Sequence, residues 1–151
     1  MLKAYTAAAV ACGILLVSLP PPAVSAQSPA VRVIVNAANP VNVISVAETS
    51  DIFLKRATRW KAGGMIRPVD LPIDSNVRAE FCRQVLGRSP SAVEVFWSKQ
   101  IFSGQVFPPL IKRSEREVLA YVRENEGAIG YISGQTALEA GVKPVMLTGK
   151  Q

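Results

Sequence analysis

A chain of 151 residues, about half apolar and with 19% charged side chains, has the length and balance of one globular domain. It contains no histidine, which excludes Ser-His-Asp and Cys-His catalysis and leaves a zinc site only cysteine and carboxylates to draw on. The net charge of +6 is scattered, with no long basic run and no interleaved aromatic series, so nucleic-acid binding is excluded as well.

The chain opens as a targeting segment. Lys3 is followed by an apolar run over residues 7–19, three prolines, and the small residues Val24, Ser25 and Ala26. A positive start, a short apolar middle and a small-residue end predict a signal peptide over 1–26, cleaved before Gln27. The apolar run is too short and too proline-bounded for a membrane-spanning helix. The expectation is an exported, periplasmic domain over 27–151 that meets a membrane only through its cleaved leader. Cys12 lies inside the apolar run, where lipid attachment does not fit. Cleavage leaves Cys82 without an internal partner, so the domain relies on its core.

In the remaining chain, the β-branched run 31–35 predicts a strand. Residues 36–40 form a turn, and Ser45 with Glu48 forms a capping box that starts a helix reaching about Leu54. A loop over 58–64 holds Trp60, placed as cover for a core edge. Residues 65–69 suggest a strand that Pro68 demotes to a short or edge position. Asp74 or Ser75 caps the next helix, whose stripe is Val77, Phe81, Val85 and Leu86 and whose end is Gly87. Ser89 and Pro90 start another, with Val93, Phe96, Trp97 and Ile101 as its apolar face. A loop over 103–109 leads into an apolar, proline-broken stretch that reads either as a contact patch or as core cover. Ser114 and Glu117 box a helix through Val118, Tyr121 and Val122, with Glu115, Glu117, Glu124 and Glu126 as its solvated flank. Strands follow at 128–132 and 143–147. Strands alternating with helices predict an α/β fold, a mixed sheet flanked by helices.

Several of these segments resemble one family in order. Asp51, Ile52, Phe53, Leu54 and Lys55 with Trp60 downstream, the helix start at 44–48, the stretch Ile66, Arg67, Pro68, Val69 and Asp70 with Ser75 and Phe81, and the strand at 126–131 are similar to phosphate-type periplasmic solute-binding proteins. The leading strand 33–40 fits the same pattern, so the resemblance spans about residues 31–147. It implies one lobe of a type II periplasmic binding protein-like fold. Members have two α/β lobes, hold phosphate or a similar oxyanion in the cleft between them and feed an ABC importer. This chain has length for one lobe, which leaves a second lobe or a second copy as a conceivable partner.

Within that resemblance the anion-binding turn reads Arg-x-x-x-Ser-Gly-Thr. Ser75 matches its serine, while Leu71, Asn76 and Val77 stand at its arginine, glycine and threonine. The candidate ligand-binding residues are therefore Ser75 through its hydroxyl, Asn76 through its amide and Arg78 through its planar fork of donors, at a helix start whose free N–H groups attract anions. No catalytic residue, metal site or cofactor is expected. The functional expectation is an extracytoplasmic binding module for phosphate or a similar oxyanion, associated with an ABC importer or a sensor. The competing expectation is a ligand-free protein-interaction module of the cell envelope built on the same lobe.

Overall fold

Runs of β-branched residues prefer the pleated sheet, and Ser-started segments with apolar stripes prefer helices. The computed structural model describes residues 30–104 and 106–149 and bears out that division, while the expected signal peptide lies outside the described residues. In chain order the elements are β1 (Val31–Asn36), β2 (Val43–Ser45), α1 (Val46–Phe53), β3 (Arg67–Asp70), α2 (Asn76–Phe81) continuing as a π-helical turn (Cys82–Leu86), α3 (Pro90–Phe102), β4 (Leu110–Ile111), α4 (Glu115–Glu124), β5 (Ala128–Ser133) and β6 (Val142–Thr148).

The sheet order is β2-β6-β1-β5-β3-β4. β1 runs antiparallel to both β5 and β6, whereas the β2–β6, β3–β5 and β3–β4 pairs are parallel. The sheet is thus mixed, with β1 alone reversed. One consequence positions everything functional: β2, β3 and β4 all deliver the chain to the same edge of the sheet, where α1, α2 and α4 begin.

Each of those helices starts on a serine. Ser45 Oγ accepts from Glu48 N, Ser75 Oγ from Arg78 N and Ser114 Oγ from Glu117 N, at 3.0, 3.3 and 3.3 Å. The reciprocal arms of the two expected boxes differ. Glu48 turns to Lys61 at 3.1 Å, and Glu117 accepts from the backbone N of Arg113 at 3.0 Å. Gly87 ends the second helical segment in the left-handed conformation at φ 61°, which costs a glycine little.

β5 is buried along its whole length and divides the core into two layers. On one face Gly130 lies under Val118 and Val122 of α4. On the other, the Tyr131 ring stacks on Phe81 at 3.9 Å between centroids, and Phe53 leans on both. Trp60 is buried and donates its Nε1–H to Gly127 O at 3.2 Å, so it does cover a core edge.

Two short strands add to the sequence expectations, and two side chains, Ile101 and Glu115, correct them. Residues 43–45 form a strand ahead of α1, because pairing with β6 extends them. β3 is short, as expected, and lies inside the sheet, since β4 pairs beyond it. Pro68 is tolerated there: Arg67 N points to Gly127 O, so the next nitrogen faces the other side, where β4 is first paired opposite Val69. Ile101 is exposed, because the apolar residues of α3 wrap around the helix; Val93 and Trp97 are buried and Phe96 packs against the core from its margin. Glu115 does not sit in solvent; it accepts from Ser133 N at 2.7 Å and Thr136 Oγ1 at 2.6 Å, pinning the end of β5.

A Cβ on Gly130 would stand 2.7 Å from Val118 Cγ1 and 2.9 Å from Val69 Cγ1. Gly130→Ala is therefore expected to lower unfolding stability by about 1–3 kcal/mol, as overpacking does, and urea denaturation of the two proteins checks it.

Candidate functional site

The turn after β3 lies at the edge where three helices begin. Ser75 is half-buried, Asp74 and Asn76 are exposed, and the Ser75 hydroxyl oxygen is engaged as the helix cap. Ser75 and Asn76 thus remain accessible from solvent.

Arg78 is placed differently from the sequence expectation. It is only 2% exposed. Its Nη2 lies 2.7 Å from Glu94 Oε1 and 3.3 Å from Asp70 Oδ2, and its Nε has no hydrogen-bond partner. The donor fork faces two acidic neighbours under α3 instead of standing free beside Ser75. The reason is topological: one turn into α2, the side chain points back across the end of β3, where Asp70 sits, and α3 lays Glu94 over it.

Asp70 is the centre of this group. Its Oδ1 accepts from Tyr131 Oη and from Leu71 N, the latter at 2.8 Å. Burial holds its carboxyl above the usual carboxylate range, although Arg78, Tyr131 and Leu71 N pull the other way. Burial also opposes the Arg78 charge, but Asp70 and Glu94 outweigh it and hold the guanidinium above its ordinary value. The Tyr131 phenol is pushed far up by burial and by the Asp70 charge, so it stays a donor. Cys82, one turn past Arg78, is buried, and burial pushes its thiol up to about 11, which makes it an inert core residue.

A small cavity of about 90 Å³ opens over this cluster between Asp70, Arg78, Glu94, Trp97 and Pro109. A separate cavity of about 530 Å³ lies at the opposite edge of the sheet, among Asn39, Trp60, Gly63, Arg67, Asn125 and Gly127, and contains none of the three candidate residues. Sequence reading missed Asp70 and Glu94 as partners of Arg78. Asp70 lies in one of the segments that carry the family resemblance, but nothing in the spacing placed α3 across it. Among the described residues no group of three or more potential metal ligands comes together.

No family model and no curated protein matches the chain. Solved structures do. An ABC-type phosphate transport receptor from Vibrio cholerae aligns with TM-score 0.62 and 22% identity, over 79% of this chain and 46% of the receptor. A substrate-binding protein assigned to phosphate ABC transport, from Clostridium perfringens and with bound phosphate, aligns with TM-score 0.64 and 24% identity, over 82% of this chain and 46% of that one. A possible phosphate binding protein from Planctomyces limnophilus aligns with TM-score 0.56 and 17% identity over 80% and 42%. The length of chain matched is about half that of these structures, and over that half the mixed-sheet α/β fold is shared.

Removing one partner of a buried ion pair costs about 3–5 kcal/mol, because the other charge stays buried. Arg78→Leu, which strands Asp70, is expected to lose stability on that scale. Glu94→Gln keeps an acceptor at a half-exposed position and is expected to lose about 1 kcal/mol or less. Denaturant midpoints of the two variants check the contrast.

Proposed function

We propose that this chain is an extracytoplasmic binding module on a solute-receptor lobe that works by docking on a partner of the cell envelope, not as a free-standing phosphate receptor. The observation that carries this reading is the commitment of Arg78 to Asp70 and Glu94. A phosphate at the start of α2 would meet no free cation from Arg78 and would lie near the exposed carboxylate of Asp74. Leu71 stands where the resemblance calls for arginine, so that position supplies no positive anchor.

One observation favours the oxyanion reading. Ser75 and Asn76 stay open at the edge where helix N-termini gather, and the similar structure from Clostridium perfringens carries phosphate. In that case the module would hand phosphate or a similar oxyanion to an ABC importer or a sensor, with Ser75 and Asn76 as donors.

Titration calorimetry with inorganic phosphate separates the two. Docking predicts no saturable heat up to millimolar phosphate. Saturable heat that Asn76→Asp abolishes would establish the oxyanion reading instead, and Asn76 is exposed enough for that change to spare the fold.

A further inference from the structure

No helix among the described residues is long and apolar enough to cross a membrane. Yet exposed apolar side chains are not evenly spread. Val95, Ile101, Phe102, Phe107, Leu110 and Ile111 are all exposed and fall within one stretch, the end of α3 and the approach to β4. Phe102 is 92% and Phe107 81% exposed. Isolated exposed apolar residues are ordinary, but a contiguous group marks a contact surface. The two ends of the stretch meet in space: Ile101 of α3 and Ile111 of β4 wall the same small cavity, with Pro108 and Pro109 between them in the chain.

The charged side chains of the stretch itself are all basic, although Asp70 and Glu94 line the cavity beside it. Lys99, Lys112 and Arg113 lie in this stretch, and from 95 to 113 there is no acidic residue. The flanking carboxylates are already engaged: Glu94 by Arg78, Glu115 by Ser133 N and Thr136, and Glu117 by Arg113 N. Lys99 and Arg113 are exposed, and Lys112 rests over the Tyr121 ring at 4.8 Å.

We propose that the α3–β4 flank is a peripheral membrane-docking face, in which Phe102 and Phe107 enter the interfacial layer of an anionic lipid surface while Lys99, Lys112 and Arg113 meet its headgroups. Apolar insertion combined with basic flanks is the pairing that holds peripheral proteins on anionic bilayers. A second copy is a poorer occupant, because a twofold contact would set the basic rim against itself. Insertion of two side chains also needs no shaped groove. This rests on the docking reading and names its surface and partner; phosphate calorimetry and the experiment below can fail independently.

The test is hydrogen–deuterium exchange of the full chain with vesicles, read by peptide, so that binding through the N-terminal apolar segment does not mask the result. With mixed phosphatidylcholine and phosphatidylglycerol vesicles at low salt, exchange is expected to slow in peptides over 99–104 and 106–113. The slowing is expected to be lost with Phe102→Ser and Phe107→Ser together and to fade at high salt. Both residues are exposed, so the double variant should keep its melting temperature. Equal slowing on pure phosphatidylcholine, no slowing on either, or slowing that grows with protein concentration in the absence of vesicles would overturn the proposal, the last by assigning the face to a second copy.

Discussion

An arginine keeps its charge at any ordinary pH, so a guanidinium that the fold buries must be given anions where it lies. Arg78 receives two, from different elements: Asp70 at the end of β3 and Glu94 in α3. Since Tyr131 of β5 donates to the same Asp70, a strand, the start of a helix, a covering helix and the central strand of the sheet converge on one carboxylate. The Phe53, Phe81 and Tyr131 rings close the space beside it. Placing α3 is thus a matter of charge as much as of packing, and it fits that only Val93 and Trp97 of that helix are fully buried.

The same arrangement bears on function. Three helices begin at one edge of the sheet, which is the geometry that gathers N–H groups around an anion in open α/β folds. In this chain the cation nearest that edge on α2 is turned inward and neutralised. The chain shares the fold of the solved structures it matches, while Arg78 serves internal structure. What it shows to the outside along α3 and β4 is largely apolar, with Lys99 and Arg113 exposed beside it, and the proposed docking rests on that surface.

Much of the fold was legible because local rules and tertiary packing agree. The β-branched run at β1, the serine caps of α1, α2, α3 and α4, and the glycine after Leu86 each carry a local physical signal, and each stands where the sequence puts it. The misses share a cause. The short strands β2 and β4 exist through pairing with β6 and β3, which no local pattern encodes. The inner face of α3 was misjudged because apolar residues surround it, so periodicity could not choose a side. Ser75 was legible as a cap. The role of Arg78 was not, because its partners come from residues eight positions before it and sixteen after it, and only the folded chain brings them together.

The central claim is that the Arg78 guanidinium is sequestered. Nitrogen-15 NMR of the arginine side chains tests it directly, through the exchange of the Arg78 guanidinium protons with water and their response to added phosphate. Slow exchange, with resonances that phosphate leaves in place, is what a guanidinium closed in by Asp70 and Glu94 must give. Rapid exchange, or a saturable shift on adding phosphate, would mean that the arginine opens to an outside anion, and the docking account would then give way to a receptor.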